Sequence, residues 1–307
     1  LCKIDTVRKY IPGKSYVFKI KSPQGEEDVA IEYIAGDIAS KLILTAPHGG
    51  ELKPDYLHTR IKDFVSTKTM ENDYGDTESF SGMADSKTLE LTIGIADEVK
   101  RTTGLRPHII LNHLHRSKLD ANRSIGMAAQ EDSNAVAAWK AFHQYIDNAK
   151  AQVEKSNGGL VLDIHGNAHR PQRTEVGFLL KANDFLKSDL ENFAQKSSVA
   201  AMVKSGKASF NELVKGEHAL GTLLNDKVFV TTPSKVNPLP NDSLKFPDRK
   251  YFNGGYNTAR HGSKFGGNIS AMQLEFNQEV RTDDKTRSAY ARSIANAINL
   301  FMEKYFK

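Results

Sequence analysis

The sequence predicts an α/β fold: a three-layer α/β/α sandwich around a mixed, largely parallel twisted sheet. Two observations carry that prediction. Apolar runs of strand length alternate, through nearly the whole chain, with longer segments whose apolar residues recur at helical spacing. Several of the runs are apolar at consecutive positions, as strands must be when helices cover both faces of their sheet. No internal repeat and no low-complexity linker interrupts the alternation, so residues 1–307 read as a single domain.

Taken in order, "YVFKI" and "DVAIEYIAG" form an early strand pair, and "KLILTA" a buried strand. Leu89, Ile93, Ala96 and Val99 are spaced for a helix that ends near "TTGLRP", where Gly104 and Pro107 punctuate before the strand "HIILN". Val136, Trp139, Phe142, Ile146 and Val153 mark a long amphipathic helix, stopped by "NGG" and followed by the strand "LVLDI". "EVGFLL" is a further strand, Leu190 to Val203 and Phe210 to Leu224 have helical spacing, "AMQLEF" is a late strand, and Ala289 to Tyr305 a closing helix.

Composition narrows the functional classes. With 39% hydrophobic and 26% charged residues the chain has the makeup of a soluble globular protein. The net charge is +5, but the lysines and arginines are dispersed among nearly as many acids, without an aromatic-interleaved basic stripe, so no nucleic-acid partner is expected. No apolar stretch reaches the roughly 18 residues of a membrane span. The sequence opens on "LCK", which reads as a processed or trimmed start; export is compatible with it, and Cys2 is either a lipid-attachment cysteine or incidental. Because Cys2 is the single cysteine, any metal must be held by histidine and carboxylate.

The polar residues fall at strand ends. "KLIL" runs into "TAPHGGE", which delivers His48 and Glu51 on a double-glycine turn, with room left for something bulky such as a metal ion. "LVLDIHGN" repeats the pattern with His165 and, two residues earlier, Asp163. "HIILNHLHRSKLDANR" leaves its strand into His113, His115, Arg116, Asp120, Asn122 and Arg123. "AMQLEFNQEVR" sets Glu275 inside an apolar strand, where an unpaired carboxylate is costly. In open α/β sheets, sites form beyond the carboxyl ends of strands.

These motifs, H-x-x-E at a strand end, a later R-x5-N-R, D-x-H-G on a later strand, the glycine-rich "GGYNTARHG" and a buried Glu in "QLEFN", resemble the N-formylglutamate amidohydrolase family. That family belongs to the zinc carboxypeptidase-like superfamily. The resemblance implies one zinc ion per chain, bound by His48, Glu51 and His165 with the fourth position open, a recurring arrangement of catalytic zinc. It implies Glu275 as general base and Arg116 as the group that polarises the scissile carbonyl or stabilises the oxyanion. It implies Asn122 and Arg123 as the binders of a substrate carboxylate. By their place in the glycine-rich segment, Arg260 and His261 are candidates to line the pocket, with a purely structural role as the alternative. The implied activity is hydrolysis of the amide bond of an N-acyl amino acid or small peptide. A carboxypeptidase releasing a C-terminal residue is the alternative, since the spacing of His48 and Glu51 is nearer that group's, and a noncatalytic binding protein on the same fold is the third. Each role has a plain structural counterpart: Glu51 a surface acid, Glu275 a salt-bridge partner, Arg123 a loop anchor held by Asp120, His113 and His115 mere flanking residues.

Overall fold

The computed structural model describes residues 10–64, 72–75, 78–156, 158–187, 189–225, 229–240 and 251–307; Cys2 lies outside them. Among these residues eight strands, β1 (Ser15–Lys21), β2 (Glu27–Ile34), β3 (Leu42–Ala46), β4 (His108–Asn112), β5 (Gly159–Gly166), β6 (Thr174–Gly177), β7 (Thr231–Thr232) and β8 (Ile269–Phe276), form one mixed sheet in the order β1-β2-β4-β3-β5-β8-β6-β7. The helices are α1 (Thr88–Thr103), α2 (Ile125–Ala129), α3 (Ser133–Val153), α4 (Ala200–Lys204), α5 (Phe210–Lys215), α6 (Leu220–Asn225), α7 (Tyr256–His261), α8 (Gln278–Thr282) and α9 (Asp284–Phe306).

The four central strands β4, β3, β5 and β8 are mutually parallel, so their carboxyl ends meet along one edge. Antiparallel pairing adds β2 and β1 on one side and β6 on the other. Alternation along each strand sorts the core into two layers. Leu42, Leu44, Ile109, Leu111, Leu160, Leu162, Ile164, Met272 and Leu274 pack with Leu91 and Ile95 of α1 and with Ile294, Ile298 and Phe301 of α9. Ile43, Ile110, Val161 and Ala271 pack on the other face with Ala138, Phe142 and Ile146 of α3. Following the second face toward the carboxyl ends reaches Thr45, Asp163, His165, Gln273 and Glu275, so the sheet's own pleat lines these polar groups up on the α3 side.

The long helices have the ends their sequence encodes. In α3, the Asp132 side chain accepts from the Ala135 N–H, and in α9 the Asp283 side chain accepts from Lys285 and Thr286 N–H. Helix α1 stops at Gly104, whose φ of 77° only a residue without Cβ adopts readily, with its N–H returned to Lys100 O.

Four segments depart from expectation. The stretch from Leu190 is a 3₁₀ turn at Glu191–Lys196, then a break, then α4, because the backbone of Ser198 is used elsewhere: its N–H donates to Phe178 O and its carbonyl accepts from Ser263 and Ala271. The stretch from Phe210 divides into α5 and α6 at Gly216, where a Cβ would stand 2.7 Å from Glu212 O. Strand β6 ends at Gly177, where the Asn253–Gly254 backbone crosses close by. The glycine-rich segment contains α7, too short to announce itself by periodicity. Among the described residues, no helix is long and apolar enough to cross a membrane.

Candidate metal centre

His48 follows β3 directly, and His165 is the penultimate residue of the neighbouring parallel strand β5, which brings the two rings to 4.7 Å between centroids. Both are about 1% exposed. Their outer nitrogens face separate carboxylates. His48 Nε2 lies 2.6 Å from Asp120 Oδ1 and His165 Nε2 lies 2.7 Å from Asp163 Oδ2. Burial raises both carboxyls, but the combined charges and hydrogen bonds around them outweigh it, Arg116 and His48 foremost at Asp120 and His165 and Thr45 foremost at Asp163, so both are held below the usual range. A carboxylate accepts only, so each ring presents Nε2–H to its partner.

That assignment turns both Nδ1 atoms inward to one point. His48 Nδ1 is 3.3 Å and His165 Nδ1 3.1 Å from the same oxygen, Oδ2 of Asp85, which also accepts from the Gly166 N–H at 3.1 Å. The ligand atoms of His48, Asp85 and His165 all lie within 4.8 Å of one another. Two imidazole lone pairs and a carboxylate oxygen converging in a buried space repel unless a cation stands among them. Without a metal that cation is a proton: although burial pushes His165 down, Asp163 and Asp85 raise it to about 10. The donor set fits zinc, whose catalytic sites join two histidines and a carboxylate, with the outer nitrogens donated to further carboxylates.

Asp85 was not expected in this role, and Glu51 is not brought to the histidines. Leu52 pairs with the backbone of His113 and His115, which leaves the Glu51 side chain 74% exposed and in contact with Lys87 Nζ at 3.2 Å. The two glycines before it serve the scaffold. A Cβ on Gly49 would lie 2.4 Å from Leu89 and Thr88 of α1, and one on Gly50 would lie 2.3 Å from the backbone of His113. Asp85 lies three residues before Thr88, the first residue of α1, and in a sequence an acid just before an amphipathic helix reads as a cap; here its carboxylate is turned inward instead.

The remaining expected residues divide into two groups. Glu275, Arg116 and Asn122 are at the centre. Glu275 is the Cα partner of His165 across the parallel ladder and of Glu175 across the antiparallel one; Gln273 Nε2 donates to its Oε1 at 2.9 Å. Burial, with Asp85 and Glu175 nearby, pushes the Glu275 carboxyl up to about 8 against the opposing pull of His165 and Arg116. Arg116 donates from Nε to Asp120 Oδ2 at 2.9 Å and sets Nη1 3.6 Å from Asp85 Oδ1, so it spans the carboxylates belonging to both sides of His48. Asn122 Nδ2 lies 3.3 Å from His165 Nε2, while its Oδ1 accepts from Asn257 N–H at 2.8 Å.

Arg123 and Arg260 point elsewhere. Arg123 donates to Ser79 O and Asn122 O, a short step from the centre along the same loop. Arg260 lies over the Trp139 ring at 5.3 Å, with Asp147 at 3.8 Å. Asp120, weighed as an anchor for Arg123, is spent on His48 and Arg116. His113 pairs with Glu32 at 2.9 Å and His115 with Ser117 at 2.8 Å, both outside the cluster.

Among solved structures, the chain is similar to N-formylglutamate amidohydrolase from Ralstonia eutropha JMP134, with 12% identity over 86% of this chain and 92% of that one, at a TM-score of 0.46. A gene product of Agrobacterium tumefaciens gives 10% identity over 91% and 96%, at 0.44. The N-acetylmuramyl-L-alanine amidase of Mycobacterium smegmatis gives 11% over 87% and 99%, at 0.36. No family model and no curated protein matches the sequence. At these values the likenesses assign this chain no activity; its chemistry has to be argued from its own residues.

Proposed function

We propose that this protein is a zinc-dependent amidohydrolase acting on the amide bond of an N-acyl amino acid or small peptide. The observation that carries the proposal is the convergence of His48 Nδ1, His165 Nδ1 and Asp85 Oδ2 on one buried point, with both rings fixed from behind by Asp120 and Asp163. His48, Asp85 and His165 would hold the ion. Zinc bound there supplies Lewis acidity toward a carbonyl oxygen and lowers the pKa of water to about 7.

The rest of the chemistry belongs to the chain. Glu275 has one oxygen occupied by Gln273, and it is the group to take a proton from the attacking water at the other and return it to the leaving amine. A carboxyl whose proton affinity is raised by burial is suited to both halves of that exchange. Arg116, spanning Asp120 and Asp85 beside the proposed metal ligands, is the proposed cation to oppose the charge that builds on the oxyanion. Asn122 and Arg123 are the proposed anchors of a substrate carboxylate, which requires the Arg123 guanidinium to leave Ser79 O for the ligand.

The test is to measure zinc content and then hydrolysis of an N-acyl amino acid and its carboxyl-amidated analogue, before and after chelation. The proposal expects about one zinc per chain, loss of turnover on chelation, and preference for the free acid that Arg123→Ala removes. A zinc-free protein with full activity would refute it.

A further inference from the structure

Arg281, in the short helix α8, is 4% exposed, and among the described residues no carboxylate pairs with its guanidinium. It donates instead to three backbone carbonyls: Nε to Phe276 O at 3.2 Å, Nη1 to Ser86 O at 2.5 Å and Nη2 to Asn167 O at 3.0 Å. Each carbonyl belongs to a different part of the centre. Phe276 follows Glu275, Ser86 follows Asp85, and Asn167 lies two residues beyond His165. Gly166 is shaped around the same group, since a Cβ there would lie 2.3 to 2.8 Å from Nε, Cζ and Nη2.

Burying a guanidinium is expensive, and three carbonyl bonds offset the cost without the gain of an ion pair. An apolar side chain would fill the same volume at lower cost. What an apolar side chain lacks is the planar fork, which grips three separate segments at fixed angles. Those segments are the end of β8, the residue just after β5 and the loop before α1, and the sheet ladder joins only the first two strands. The Asp85 loop belongs to no strand; Asp85 N–H donates to His48 O at 3.0 Å and its carboxylate accepts from Gly166 N–H, and Arg281 is the side chain that ties the loop to the ends of both β5 and β8.

We propose that Arg281 is a positioning residue that clamps the Asp85 loop to the ends of β5 and β8, setting Asp85, His165 and Glu275 at the spacing the metal requires. The inference rests on the zinc reading above, and its test separates the two. Zinc affinity of the full chain would be measured by competition with a zinc indicator for wild type, Arg281→Met, Arg281→Lys and Val280→Ala. Val280 is a buried neighbour on the same helix whose truncation weakens packing without touching the three carbonyls. Arg281→Met should bind zinc at least about 10-fold more weakly, the scale on which outer groups around a metal act, with Arg281→Lys between it and wild type. Val280→Ala should stay within about 2-fold of wild type even where its thermal midpoint falls as far. In metal-free protein, the Gly166 amide, bonded to Asp85 Oδ2, should exchange with solvent about 10-fold faster in Arg281→Met than in Val280→Ala. Equal zinc affinity in Arg281→Met and wild type, or equal losses in Arg281→Met and Val280→Ala, overturns the clamp. A wild type that takes up no zinc overturns the metal reading instead, and equal Gly166 exchange in the two variants then overturns the clamp as well.

Discussion

Asp120 stands 2.6 Å behind His48, and this contact decides which way the imidazole works. With Nε2–H given to the carboxylate, the Nδ1 lone pair is free for Asp85's side of the ring. Replacing Asp120 by Asn leaves an amide that can present either face, so the tautomer is no longer fixed. Asp120→Asn should therefore weaken zinc binding by about 10- to 100-fold while the far-ultraviolet spectrum stays unchanged. Indicator competition reads the first quantity. Unaltered affinity would mean that His48 needs no orienting partner.

The two acids closest to the expected ligand set should part company. Asp85→Ala removes one of three donors and should cost at least about 100-fold in zinc affinity, whereas Glu51→Ala removes only an exposed contact with Lys87 and should change it by less than about 3-fold. Elemental analysis of the dialysed variants checks both, and the reverse outcome would restore Glu51 as the ligand.

For Glu275 the expectation is a separation of binding from turnover. Glu275→Gln keeps the shape and the bond to Gln273 yet cannot accept a proton, so zinc content should stay near that of wild type while kcat falls by about 100-fold or more. Turnover at the wild-type rate would move the base to another residue.

A pH effect on stability arises far from the centre, at His108. Its Nδ1 lies 2.8 Å from the Tyr33 hydroxyl and accepts from the Gly36 N–H at 3.1 Å, and burial lowers the ring to about 4. The unfolded chain takes up a proton near pH 6.5 and the folded one only near 4, so this contribution to stability is whole above about 6.5, declines as pH falls through the window, and levels off below 4. The full loss is roughly 3 kcal/mol. Urea unfolding at pH 7.5 and pH 5 should show a smaller pH dependence in His108→Gln than in wild type. Identical dependence would place the titration at another group.

Strand-borne features were legible in the sequence, and contacts made between loops were not. His48, His165 and Glu275 each sit at or beside the end of an apolar run, and parallel strands bring such ends together whatever their separation along the chain. Asp85 precedes a helix, and nothing local distinguishes an acid that caps from one that turns inward; only the packing of α1 against Gly49 carries it to the histidines. Glu51 misled for the converse reason, because its spacing from His48 matched a ligand pair while the chain's pairing with His113 and His115 pointed it outward. The helices at 190–224 were overextended because apolar spacing does not report that a backbone group, such as that of Ser198, is already claimed by a neighbouring strand.

The pairing of His165 with Glu275 across β5 and β8 makes the relation between them a matter of counting residues. If β8 slid by a single residue, Gln273 and Glu275 would change places with Leu274 and Phe276, burying the acid in the layer under α9 and facing hydrocarbon to the histidines. A slip of one residue therefore leaves no acid on the face of the histidines. Under the proposed hydrolase reading, a molecule with β8 one residue out of register should be inert rather than impaired, so refolding such a preparation should raise the number of working copies and not the quality of each one.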